Sequence, residues 1–212
     1  RFTPQQFYEM NQQPLLVVNG TFFDFATNRN LNVIIKEGKL VSYNVHSIPL
    51  KGKDSLKYLH TFRSAIGISR KRKADVAWLY TDTSEHYCYR CFYTVRYVVS
   101  VKKITPEYIK SISYRAPFFG NYRDFGDSST IAKRNKRGIK RKFFKEWRMH
   151  TAIGGGPVLI QKSKINIFNN QEAMFSGNAI DDKHPRTAMG YTADGKLIIL
   201  VVQGRMPAVA EG

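Results

Sequence analysis

Three times along this chain, an apolar, strand-like run is answered, after a four-residue polar turn, by a second run of the same kind. Asn32–Ile35 and Leu40–Tyr43 flank Lys36-Glu37-Gly38-Lys39. Ala65–Ser69 and Ala74–Tyr80 flank Arg70-Lys71-Arg72-Lys73, and Met189–Thr192 and Leu197–Val202 flank Ala193-Asp194-Gly195-Lys196. Pairs of this kind close locally as antiparallel hairpins, so the chain has to organise itself around sheets. Trp78, inside the second pair, is placed to be a core anchor. Two further strands are expected. Leu15-Leu16-Val17-Val18 is a continuous apolar run ending at Asn19-Gly20, which predicts a strand buried on both faces, and Phe92–Val101 predicts another.

Helical signals are few. Residues 4–12 read as a short amphipathic helix with Thr3 as N-cap and Pro4 in its first turn, and Thr105-Pro106-Glu107 is a second helix start. The expected fold class is α+β: a strand-rich domain of mixed or antiparallel sheet with a few flanking helices. At 212 residues, 42% hydrophobic and 13% aromatic, the chain supplies one good-sized core and predicts a single domain over residues 1–212.

The formal charge of +18 predicts attraction to polyanions without naming one. Much of it sits in Arg70–Lys73 and in nine Lys or Arg between Lys133 and Arg148. Regular patterning fades there, so residues 121–150 are expected to form a basic surface insertion whose simplest reading is a solvated face. No apolar stretch approaches the roughly 20 residues that span a bilayer. Because the sequence begins at Arg1, a leader or lipid anchor upstream stays open. Cys88 and Cys91, with His86 nearby, have the spacing of half a zinc site and could also form a redox pair. Strand alternation would point the two thiols to opposite faces, which favours two ordinary strand cysteines. No carboxylate cluster suggests a metal site, and no cofactor is expected.

Three segments put polar groups or glycine at the end of an apolar strand, where a sheet can hold them at the rim of a cleft. In Val18-Asn19-Gly20-Thr21-Phe22-Phe23-Asp24, Asn19 is placed to face a ligand and Asp24 to act as acid or base; equally, the segment is a turn with Asp24 as its cap. Gly154-Gly155-Gly156-Pro157 lets a backbone approach a ligand such as phosphate, or lets two strands cross tightly. It is neither a Walker loop nor a dinucleotide fingerprint. In the third, His184-Pro185-Arg186-Thr187-Ala188 and Gly204-Arg205 fall on neighbouring strands of the last hairpin, so two guanidiniums are placed to converge on one phosphate, for which Arg's planar fork is suited. Read singly, each is an ordinary surface arginine.

Taken together, these segments resemble the phosphodiester glycosidase family, which includes the catalytic domain of the mannose 6-phosphate uncovering enzyme and many homologues in gut bacteria. The matching words are Val17 to Asp24, Ala152 to Leu159, His184 to Thr192, and Asp194 to Leu197 continuing through Val201-Val202-Gln203-Gly204-Arg205 to Glu211-Gly212. Thr21 stands where the family commonly has glycine, and Gln203 where Asp is common before Gly-Arg. The family continues into a helix and a strand ending in Asp-Gly-Gly-Gly-Ser, so the resemblance implies a domain truncated at its C-terminus, active when that segment is present.

What the resemblance implies is hydrolysis of a sugar-1-phosphodiester. Arg186 and Arg205 would hold phosphate. Asn19, the Gly154, Gly155 and Gly156 backbone, His184 and Thr187 would bind the sugar phosphodiester, and Glu211 or Asp24 would do acid–base work. It also implies a carbohydrate phosphodiester as partner and an extracytoplasmic location, whether periplasmic, cell-surface or secreted. Rival readings are a non-catalytic glycan-binding protein on the same fold and a basic nucleic-acid-binding domain, the latter disfavoured.

Overall fold

The computed structural model describes residues 2–82, 87–91, 94, 96–100 and 144–205. The N-terminal helix α1 (Pro4–Met10) starts as the sequence predicts: Thr3 Oγ1 accepts from Gln6 N and the Gln6 side chain accepts from Thr3 N, a capping box. Leu15–Val18 does not form the expected strand. It pairs with no neighbour among the described residues, and Leu15 and Leu16 are exposed. An apolar run supplies the side chains of a buried strand but not the partner that buries it.

The hairpins form as predicted. β1 (Ile34–Lys36) and β2 (Lys39–Ser42) close through Glu37 and Gly38, both at positive φ (53° and 80°). A pair not expected from the sequence, β3 (Ser47–Pro49) with β4 (Tyr58–Thr61), is joined by a 3₁₀ turn at Gly52–Asp54. β5 (Arg63–Ile68) and β6 (Ala74–Asp82) turn at the basic Arg70–Lys73 segment. β7 (Tyr87–Cys91) and β8 (Arg96–Val99) follow, so the strand expected over Phe92–Val101 is observed only at Arg96–Val99 among the described residues. The helix start at Thr105 and residues 121–143 of the basic stretch lie outside them. Residues 144–150 belong to the sheet region: β9 (Phe144–Glu146) pairs with β7, and Trp147 is buried.

The central sheet has seven strands in the order β2-β1-β10-β5-β6-β7-β9, where β10 is Thr151–Gly154, and every pairing is antiparallel. A three-stranded sheet runs β3-β4-β8. β11 (Ile160–Gln161) and β12 (Lys164–Ile165) form a small ribbon, and β13 (Arg186–Tyr191) with β14 (Leu197–Val202) a longer one. Among the described residues the α-helices are α1 and the one-turn α2 (Asn169–Glu172), so the architecture is mostly β rather than evenly α+β. No helix among those residues is long and apolar enough to cross a membrane.

One core cluster joins Val33, Ile35, Ala65, Ala77, Leu79, Cys88, Trp147 and Ala152. On the opposite face, Trp78 meets the Phe168 ring edge-on at 4.8 Å. Burial on both faces explains why β6 reads as a near-continuous apolar run rather than an alternating one. Cys88 and Cys91 are both buried free thiols. Burial pushes the Cys88 thiol up to about 12 and the Cys91 thiol up as well, so neither offers a thiolate near neutral pH.

Polar groups stitch the strands from inside. Asn44 Oδ1 accepts from Val33 N, and its Nδ2 donates to the carbonyls of Arg63 and Leu79. The His46 ring accepts from Thr81 N at Nε2 (2.9 Å) and lies 3.3 Å from the Thr61 carbonyl at Nδ1, an arrangement that only the neutral ring with its proton on Nδ1 satisfies. Burial accordingly lowers its pKa to about 4.

Candidate functional site

Each of the three glycines that close β10 and follow it has its own physical reason. Gly154 N donates to Val33 O at 2.7 Å, and a Cβ there would lie 2.6 Å from Asn32 Cβ, so the strand-crossing reading holds at this position. Gly155 N donates to Ser64 O, yet among the described residues no atom lies within 4 Å of where its Cβ would be. Gly156 sits at φ 123°, and a Cβ on it would lie 2.6 Å from Glu172 Oε2.

Glu172 is the residue that sequence reasoning missed. It is fully buried at the end of α2, and each oxygen accepts two hydrogen bonds. Oε2 takes Ser64 N (2.9 Å) and Ser64 Oγ (2.8 Å), while Oε1 takes Trp78 Nε1 (3.0 Å) and Val158 N (2.8 Å). Burial raises its pKa while all four donors favour the carboxylate. An acceptor-only carboxylate fits the four donors, and it ties the segment after the glycines to β5 and β6. Its setting, Asn-Asn-Gln-Glu, reads as surface, and no spacing rule links it to positions 64, 78 and 158.

The first segment approaches β10 from the other side. A Cβ on Gly20 would touch Ile153, and Thr21 Oγ1 donates to Asn32 Oδ1 at 3.1 Å. Asn32 is buried, and its Nδ2 has no hydrogen-bond partner. Asn19 is exposed. Asp24 takes the turn-cap role: its oxygens accept from Ala26 N (3.0 Å) and Thr27 Oγ1 (2.7 Å), and the Thr27 bond, followed by the Ala26 bond, holds its carboxyl below the usual range. Those bonds leave it ionised and already engaged.

On the third segment, the Arg186 guanidinium lies over the Phe175 ring, 5.1 Å from its centroid, and Nη2 reaches the Ala179 carbonyl at 3.4 Å. Thr187 pairs with Val201 in the hairpin. Arg205, at φ 60°, donates from Nε to His184 Nδ1 (2.9 Å), and His184 Nε2 faces Asp182 Oδ2 at 3.3 Å. Gly204 packs on the backbone of Lys183–Pro185, so Arg186 and Arg205 leave the same end of the hairpin.

The three segments meet at residues 172–175. Glu172 and Met174 flank Gly156, the Phe175 ring meets Phe22 edge-on at 5.8 Å, and Arg186 covers Phe175. Glu211 lies outside the described residues. Among those residues, no group of three His, Cys, Asp or Glu is arranged to hold a metal.

No curated protein and no solved structure matches the chain. The sequence model of the phosphodiester glycosidase family matches residues 99–212, a span that takes in the triple glycine, the His184-Pro185-Arg186 word and the Gly204-Arg205 pair. With more than half of its length covered in this way, the chain belongs to the phosphodiester glycosidase family.

Proposed function

We propose that the protein hydrolyses a sugar-1-phosphodiester at residues brought together around Phe175. The observation that carries this reading is the contact of Phe175 with both Phe22 and Arg186, one residue from Met174, which lies against Gly156. In the reaction, water adds to the anomeric carbon, the bond from that carbon to the phosphodiester oxygen breaks, and the water's proton leaves with the phosphomonoester. Negative charge gathers on the leaving phosphate, so fixed cations there stabilise the transition state.

Arg186 and Arg205 take that role, with His184 orienting Arg205 through Nδ1. Asn19 and the backbone at Gly155 bind the substrate. Of the two carboxylates, Glu211 takes the acid–base role, because both Asp24 oxygens are engaged in their own turn. The family's character supports an extracytoplasmic location.

Arg186→Ala in the full-length protein is expected to lower kcat/KM on a GlcNAc-1-phosphodiester by about 10²–10³-fold with an unchanged melting midpoint. Asp24→Asn should leave the rate within a few-fold. A rate unaffected by Arg186→Ala removes the phosphate assignment. Substrate binding without turnover in the wild-type protein turns the reading into that of a glycan-binding protein.

A further inference from the structure

A cleft of about 620 Å³ lies apart from these segments, lined by none of the residues assigned above. It forms where the β1–β2 turn, the β5–β6 turn and the chain between β9 and β10 meet. Ile35, Leu40, Cys88, Trp147 and Met149 give it apolar walls, and among the described residues Arg70, Lys71, Lys73 and Arg148 supply cations against a single carboxylate, Glu146. That carboxylate is already paired with Arg148 at 2.8 Å. Arg70, Lys71 and Lys73 are exposed and have no ion pair among the described residues. The lining His150 has a buried ring Nδ1 without a hydrogen-bond partner.

The backbone beneath these cations is fixed. Gly38 N donates to His150 O (2.8 Å) and His150 N to Ile68 O (2.9 Å), while Ser69 N donates to Lys73 O (2.9 Å) and Lys73 N to Ser69 Oγ (3.2 Å). The charges therefore stand on hydrogen-bonded turns at the sheet's edge, and a concavity of this size admits several sugar or polyol units.

We propose that this cleft docks the phosphodiester backbone of an anionic glycan polymer. Unpaired cations around a concave site select a polyanion. The chemistry of the walls narrows the class. Binding of single-stranded nucleic acid relies on exposed aromatic rings for stacking. Here the lining Trp147 is 4% exposed and its Nε1 is committed to Asp75 at 2.8 Å, so among the described residues the cleft offers charge without a stacking platform. The choice of a glycan rests on the hydrolase reading, which makes such a polymer an extended form of the substrate.

The test measures binding and turnover separately in the full-length protein. Fluorescently labelled poly(glycerol phosphate) is titrated against wild type, an Arg70→Glu/Lys71→Glu/Lys73→Glu variant, and a control with Lys51, Lys53 and Lys164 each changed to Glu. The cleft variant should bind about tenfold or more weakly and the control within about twofold, with wild-type affinity falling steeply as salt rises. Both triple variants should hydrolyse a low-molecular-weight sugar-1-phosphodiester at the wild-type rate. Equal losses of binding in the two variants, absence of salt-sensitive binding, or equally tight binding of a single-stranded DNA of the same charge each overturn the docking proposal. Cleft-dependent polymer binding in a protein that turns over no sugar phosphodiester keeps docking and discards the hydrolase reading.

Discussion

The seven-stranded sheet and the β13–β14 hairpin are both antiparallel and both rich in aliphatic residues, but they are held by different means. In the sheet, the buried residues of β5 and β6 have polar neighbours answered from within, with Glu172 receiving four donors and Asn44 bridging β5, β6 and the residue before β1. The hairpin relies on six registered pairs and its turn, while Ile198, Leu200 and Val201 stay 52%, 55% and 61% exposed. Rigidity is therefore concentrated under the triple glycine, and Arg186 projects from the less buried partner. Stability and the proposed phosphate contact are thus assigned to separate parts of the molecule, which makes the two separable by mutation.

The largest effect should come from Glu172→Ala. It strands Trp78 Nε1 and the amides of Ser64 and Val158 without an acceptor, and should cost about 3–5 kcal/mol in denaturant unfolding. A midpoint near wild type would erase the contrast between sheet and hairpin.

Acid should also act on the sheet side. His46 is held neutral with a pKa lowered to about 4 from 6.5, so the unfolded chain takes up its proton first as pH falls. Stability is then fully present above about pH 6.5 and lost on descending towards pH 4, by on the order of 1–3 kcal/mol. Melting curves across that window check this, since His46→Gln should flatten the pH dependence. On the hairpin, Leu200→Thr should shift stability by no more than about 0.5 kcal/mol. A loss comparable to that of Glu172→Ala would mean that the hairpin is packed as tightly as the sheet.

The hairpins were legible because their turns are local: Gly38 and Gly195 supply positive φ where the chain must reverse, and apolar runs flank each turn. The order of the large sheet was not, since β10 inserts between β1 and β5 and so joins residues more than eighty positions apart. Leu15–Val18 misled for a related reason, because apolar character does not name the surface that will cover it. At the site, the spacing singled out Arg186, Arg205 and the glycines as candidates and left Asp24 open between cap and acid; in the fold Asp24 accepts the turn bonds from Ala26 and Thr27. Glu172 and Phe175 gave no signal. Their importance arises from partners that only folding brings near.

The β13–β14 turn carries a consequence for the far end of its hairpin. Thr192 N reaches Lys196 O, Gly195 N reaches Thr192 O, and Lys196 N reaches Thr192 Oγ1, each at 3.0 Å, and from that clasp the pairing runs in step from Tyr191–Leu197 back to Arg186–Val202. Strand side chains alternate sides, so slipping the pairing by a single place at residues 193–195 would swing the Arg186 guanidinium off Phe175 and onto the opposite surface. A loop roughly 17 Å away thus serves as the index mark that aims the arginine, without touching it.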